Sequence, residues 1–436
     1  MKKLYVILML LGFFLSNISA QSIDERIGNA MNNQSWHQLR SLYEKEGEKI
    51  QTPFLKPLSK FFIAHFFNQP DSALFYGNVL LEKHQTEIQQ SIPSVMFFMA
   101  DDAARLGKFE DAYKILHTFN ESVAQSGQAP IENFVGLERQ YKAMHEVGGF
   151  HIDRPQKNVK VPFTYYSGKR EDPVSIYVDV MINGKAAKAN YDTGAGVNVM
   201  SRELAKELGI KAKDKSGLTI SGASKLKSDF VIVDSLLFGE IVYRNVPFQI
   251  VDFSTGNDEA DAKLKEIKLN CVLGSQTMMP LGEIQFDFAS CNIIVSEKLS
   301  EAPKYAPNMY RAGNFGFVVD LYDELSKDNI YVLLDTGADH SGLTNKYYNK
   351  NRELFKDRTA TDSIRYAGAG GVGISKIFRT NMRYRIGDRT VESDSIAVAA
   401  EGETLASEYD MFYGLPEMTR FDKMIVNFKN MWIRME

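Results

Sequence analysis

Two aspartates, Asp192 and Asp335, each head the tetrapeptide Asp-Thr-Gly-Ala in a chain of 436 residues. A single Asp-Thr-Gly is a common turn sequence. Two copies offer something more specific: a matched pair of carboxyl groups. Two such acids held a hydrogen bond apart cannot both ionise, so they share a proton. One can then take a proton from water while the other polarises a carbonyl. The next residues suit that task. Thr193 and Thr336 carry hydroxyls beside the acids, and Gly194 and Gly337 let backbone approach closely and offer N–H groups to the carboxylates.

The elements that must position the acids repeat as well. Each acid ends an apolar strand that follows a hairpin. The first hairpin turns at Asn183-Gly184, a type I′ signal. The second is read in "GFVVDLYDELSKDNIYVLL". A Gly-bearing segment follows each acid, at Gly222 after the first and at Gly368 to Gly371 after the second. Val272-Leu273-Gly274 and Phe412-Tyr413-Gly414 come next, and Phe288 and Phe428 then mark the closing strands. Four landmarks in one order, at nearly the same offsets from the two acids, imply an internal duplication.

With these residues the chain resembles the retropepsin-like and pepsin-like aspartic peptidases, with two lobes fused in one polypeptide. The resemblance covers roughly residues 160 to 436. It implies a bilobal all-β domain, with Asp192 and Asp335 as catalytic acids that hydrolyse peptide bonds through a shared water. It implies that Thr193 and Thr336 hydrogen-bond across the lobe interface, and that Gly194 and Gly337 support the acid loops. Asp339 and the tips at Gly222 and Gly370 are secondary candidates for substrate contact. Asp339 reads equally as a solvated loop acid, and the two tips equally as ordinary hairpin turns. Many pepsin-like members have Ser or Thr after the glycine, whose hydroxyl lowers an acid pKa. Ala195 and Ala338 lack it, which implies a pair that titrates nearer to neutral pH. Two departures from the family pattern stand out: Asn190 two residues before the first acid, and Gly342 after the second motif.

The rest of the chain sets the context. Net charge is −4, so no basic surface recommends nucleic acid. Residues 1–20 read as a signal peptide, with Lys2 and Lys3, an apolar run from Leu4 to Leu15, and Ile18-Ser19-Ala20 before Gln21. The expected destination is the periplasm or the exterior. The run is too short to span a bilayer, and no other segment could. Cys271 and Cys291 are either a disulfide of an exported protein or two small buried hydrophobes. His151 and His340 lie far from both, so metal-ligand spacing is absent and no cofactor is expected.

Residues 21–150 carry helical periodicity and resemble a tetratricopeptide-like repeat domain, the alternative being an irregular helical bundle. Leu106-Gly107 marks a turn, and Leu39, Ala73 and Ala112 sit at matching places. From Val161 on, β-branched and aromatic alternation takes over. The boundaries expected are 155–300 for the first lobe and 301–436 for the second, with the segment from Ser296 to Asn314 as linker. The leading reading is an exported aspartic endopeptidase, monomeric because both acids lie in one chain. It acts on a peptide or protein, and the helical region is available to a protein partner. The alternatives are a peptide-binding scaffold whose lobes have lost activity, and an assembly factor in which the lobes only scaffold.

Overall fold

From Ile23 to Glu146 the computed structural model is helical, and beyond Phe150 it is β-rich; the chain divides into two compact units, Met1–Gly149 and Phe150–Glu436. The residues described are 21–166, 168–212, 218–221, 225–254, 257–266, 269–313, 315–368, 371–401 and 408–436. The expected signal peptide, and the tips Gly222 and Gly370, lie outside them.

Three helical hairpins open the first unit: Ile23–Asn32 with Trp36–Glu46, Leu55–Phe66 with Pro70–Lys83, and Ile92–Arg105 with Phe109–Gln125. All three turn in the same way. Gln34, Asn68 and Gly107 take left-handed backbone, with φ of 53°, 56° and 74°. The next N–H reaches back to Ala30, Ala64 or Ala103 at 2.8, 2.8 and 2.9 Å. This pattern satisfies carbonyls that the helix end leaves free. Five residues past each turn, Leu39, Ala73 and Ala112 are fully buried. Aromatic side chains fill the space between the hairpins, with Trp36 stacked on Phe66 at 3.9 Å and Phe66 edge-on to Phe98. The helix Glu132–Glu146 completes the unit. No described helix is long and apolar enough to cross a membrane.

The β-rich unit contains the same strand plan twice. In the first lobe, Ile176–Ile182 and Lys185–Tyr191 form an antiparallel hairpin. Its turn has φ of 49° at Asn183 and 76° at Gly184, as a type I′ turn requires. The strand Cys271–Leu273 runs parallel to Lys185–Tyr191 and antiparallel to Val199–Ser201, which in turn lies parallel to Ile241–Val251. In the second lobe, Phe317–Asp323 and Asp328–Leu334 form the hairpin. Met411–Tyr413 runs parallel to Asp328–Leu334 and antiparallel to Gly342–Leu343, which lies parallel to Arg389–Glu401. Both acid-bearing strands are therefore interior strands with a parallel neighbour.

Among the described strands, the lobes join through the antiparallel pairing of Glu283–Asp287 with Lys423–Asn427. Glu283 faces Asn427, Gln285 faces Ile425 and Asp287 faces Lys423. Phe288 and Phe428 are counterparts, so Gln285 and Ile425 are counterparts too, and a local twofold axis passes between them. The adjoining turns obey it. Phe288 N–H bonds Asp422 O at 2.8 Å, and Phe428 N–H bonds Gly282 O at 2.9 Å. Cys291 and Met431 share a left-handed φ of 52° and 51°.

The structure adds two elements that the sequence reading does not. His151–Asp153, ahead of residue 155, is a short strand paired with Ile241–Val251. Met309–Arg311, inside the proline-bearing linker, is a strand of the second lobe paired with Phe317–Asp323. Each is too short for alternation to be legible. Both cysteines are free thiols, Cys271 buried and Cys291 half-buried. Burial pushes the Cys271 thiol up to about 12.

Candidate active site

Each acid follows directly on its strand. Asp192 N–H bonds Leu273 O at 3.0 Å, and Asp335 N–H bonds Tyr413 O at 3.0 Å. The short strand before each Gly274 or Gly414 thus anchors the acid next to it. Gly194 N–H donates to Asp192 Oδ1 at 2.8 Å, and Gly337 N–H donates to Asp335 Oδ1 at 2.9 Å.

The loops meet across the local twofold. Thr193 N–H donates to Thr336 Oγ1 at 3.0 Å, and Thr336 N–H donates to Thr193 Oγ1 at 3.0 Å. Each hydroxyl then donates to the opposite lobe: Thr193 to Leu334 O at 2.8 Å and Thr336 to Tyr191 O at 2.7 Å. Both threonines are fully buried, so this four-bond lock is cut off from competing water. The glycines have no room to be anything else. A Cβ on Gly194 would stand 2.6 Å from the Asp335 carboxyl carbon, and one on Gly337 would stand 2.6 Å from Asp192 Oδ2.

The two carboxyl groups are therefore brought together, each packed against the glycine of the other loop, and the charge of Asp192 bears on the titration of Asp335. Both side chains keep some solvent exposure, yet protein surrounds them closely. Desolvation raises the pKa of Asp192, opposed in part by the Gly194 N–H. Desolvation also holds Asp335 well above the ordinary carboxylate range, with the Asp192 charge adding to it. The titration belongs to the pair. An acid pair with one retained proton and access to water can activate that water and polarise a carbonyl.

The remaining candidates are placed as follows. Asp339 is exposed on the loop after the second motif, 2.6 Å from His340 Nδ1. The His340 ring meets Phe412 edge-on at 5.0 Å. The Gly222 and Gly370 segments are each flanked by paired strands: Thr219–Ser221 with Lys225–Lys227, and Asp362–Gly368 with Gly371–Ile386.

The Gly342 departure has a packing explanation. Val199 and Gly342 stand at the same offset from their acids, and each pairs with a residue of the neighbouring strand, Val272 or Phe412. In the first lobe Val199 and Val272 share a buried cluster with Val251. In the second, a Cβ on Gly342 would already meet the Phe412 ring at 3.1 Å. Valine beside valine is replaced by glycine beside phenylalanine, and the interior stays filled. Asn190, the other departure, is buried opposite Tyr177 and beside Val272.

Sequence reading misses Asn198 and Ser341. Each stands at the same offset from its acid and accepts the backbone N–H of Gly274 or Gly414, at 3.0 and 2.8 Å. The equal offset is a signal, but the two residue types differ.

Among the described residues one group, His65 with Asp101 and Asp102 in the helical unit, gathers potential metal-ligand atoms within 4.8 Å. Arg105 fills it. Its guanidinium bonds Asp102, donates to His65 O at 3.2 Å, and lies 3.2 Å from Asp101. The cation such a cluster needs comes from the chain itself.

Residues 178–277, which span the first acid and its anchoring glycine, match the aspartyl protease family. No curated protein matches the chain in sequence. Among solved structures the chain is similar to an aspartic proteinase from Irpex lacteus, at 12% identity and a TM-score of 0.38, over 63% of this chain and 96% of that one. It is also similar to a retropepsin-like aspartic protease from Rickettsia conorii, at 16% identity and a TM-score of 0.23, over 34% of this chain and 92% of that one.

Proposed function

Starting from a β-rich unit of aspartic-peptidase kind, we propose that this protein is an endopeptidase in which Asp192 and Asp335 jointly activate a water molecule. One observation carries the reading: two carboxyls, each held by its own loop N–H and packed against the other loop's glycine, stand beside a buried threonine lock that joins the two loops. The shared proton leaves one carboxylate to take a proton from water. The protonated partner polarises the scissile carbonyl, and the tetrahedral intermediate collapses with proton return to the amine. Neither Ala195 nor Ala338 offers a hydroxyl to stabilise an ionised acid. The pair's raised titration accordingly supports activity in the mildly acidic to neutral range.

Both acids lie in one chain, so a monomer is the proposed active unit. The signal-peptide pattern at residues 1–20 supports export to the periplasm or beyond. The stacked helical hairpins support a tetratricopeptide-like module that engages a protein partner or substrate. The test is incubation of the purified protein with a mixed peptide library across pH 2 to 8, at several dilutions. Cleavage with constant specific activity on dilution is expected. Second-order loss of activity on dilution would overturn the monomer, and cleavage only near pH 2 would overturn the titration argument.

A further inference from the structure

Each acid loop is held from behind by three consecutive residues, and the middle one is tied by a side chain that belongs to the loop itself. In the first lobe, Leu273 O accepts Asp192 N–H at 3.0 Å and Ser275 N–H donates to Ala195 O at 2.9 Å. Between them, Gly274 N–H donates to Asn198 Oδ1 at 3.0 Å. In the second lobe, Tyr413 O accepts Asp335 N–H at 3.0 Å and Leu415 N–H donates to Ala338 O at 3.0 Å. Between them, Gly414 N–H donates to Ser341 Oγ at 2.8 Å. The contact is tight. A Cβ on Gly274 would fall 2.5 Å from Ala195 O, and one on Gly414 would fall 2.2 Å from His340 O. A displacement of either glycine therefore moves the carbonyls and N–H groups that fix the acid.

The two ties differ in strength. Asn198 is fully buried and bonded at every face. Its Nδ2 donates to Pro247 O at 3.1 Å, its N–H donates to Gln276 Oε1 at 3.2 Å, and its O accepts Gln249 N–H at 2.9 Å. Ser341 is only half-buried, and among the described residues its hydroxyl makes one tie, to Gly414. A hydroxyl with one bond can rotate; an amide bonded at both ends cannot.

We propose that Asn198 and Ser341 are positioning residues that set the distance between the two carboxyls, with the first acid held rigidly and the second left free to adjust. This rests on the peptidase reading above for its kinetic consequence, though not for its structural one. The two-carboxyl chemistry tolerates little displacement, since misplacement by about 1 Å can cost a hundredfold in rate. Flexibility on one side lets the pair close on the water and open for product.

The experiment uses the full chain with Asn198→Ala, Asn198→Ser, Ser341→Ala and Ser341→Thr. It records kcat and KM on a peptide substrate, the pH profile, and amide exchange over residues 192–198, 272–277 and 411–415. Asn198→Ala is expected to lower kcat about tenfold or more with KM within about twofold, to shift the pH profile, and to speed exchange at 192–198. Asn198→Ser, which imports the other lobe's solution, should recover part of the loss. Ser341→Ala should lower kcat by only about threefold, and Ser341→Thr should restore it. Unchanged kcat and exchange in folded Asn198→Ala would overturn the proposal, as would an effect on KM alone. If Asn198→Ala does not fold, Asn198→Ser and the serine pair decide. If the wild type cleaves nothing, the peptidase reading fails, and the exchange data still judge the positioning claim.

Discussion

The two acid loops share a backbone and differ in almost everything else. Asp-Thr-Gly-Ala, the anchoring glycine and the strand pairings recur at both, down to the N–H bonds of Gly194 and Gly337 to their acids at 2.8 and 2.9 Å. Around that frame the first lobe uses Val199, Val272 and Asn198, and the second uses Gly342, Phe412 and Ser341. The first loop continues through Gly196-Val197, the second through Asp339-His340. What the chemistry fixes is therefore backbone position, and with it the glycines where an added Cβ would clash with the opposing acid or with the acid loop's carbonyls. Side chains are free to vary so long as summed volume is kept and each buried N–H finds an acceptor.

The comparison can be broken most severely at the anchoring glycines. Gly414→Ala places a Cβ against the backbone carbonyls of His340 and Ala338 and should cost on the order of 3 kcal/mol, with Gly274→Ala somewhat less. Chemical denaturation measures both, and a neutral result at either would mean that the loops are slack. The threonine lock comes next. Thr193→Ala leaves Thr336 N–H buried without its acceptor and should cost about 1–3 kcal/mol. Thr336→Ala should match it by symmetry, and the double variant should cost less than the sum. Unequal single effects would show that the lock is not twofold.

A finer test is the volume exchange. Gly342→Val should strain the second lobe, Phe412→Val should leave a void, and together they should rebuild the first lobe's pair. The coupling in a double-mutant cycle should be about 1 kcal/mol, and zero coupling would refute the compensation. The smallest effect concerns pH. Both acids have raised pKa values, so the folded state binds more protons than the unfolded chain. Stability from the pair is present below the ordinary carboxylate value near 3.8 and is lost as pH rises through the raised range. Asp335→Asn should thus raise the melting temperature at pH 7 and much less at pH 4. A gain that does not depend on pH would contradict the coupled titration.

Much of this was legible because the duplication repeats glycines packed against the opposing acid or against the acid loop's own carbonyls. Glycine at 194, 274, 337 and 414 is forced by clashes of 2.2 to 2.6 Å, so its type survives in both copies. Asn183-Gly184 was legible because two successive left-handed residues admit few sequences. The three helical turns were legible only in part. Gln34, Asn68 and Gly107 adopt one conformation, but Gln34 is not a residue that announces it. Asn198 and Ser341 were hidden, since any acceptor of the right reach satisfies a backbone N–H. The strands His151–Asp153 and Met309–Arg311 were hidden by their length. Free thiols at Cys271 and Cys291 depend on distance in space, which spacing along the chain does not reveal.

The claim that both acids act as one unit is tested most directly by measuring peptide hydrolysis for Asp192→Asn and Asp335→Asn, each in the full chain and each confirmed as folded. The account predicts that either change alone lowers kcat by at least about a thousandfold, and that combining them lowers it little further. Near-normal turnover in one single variant would contradict it.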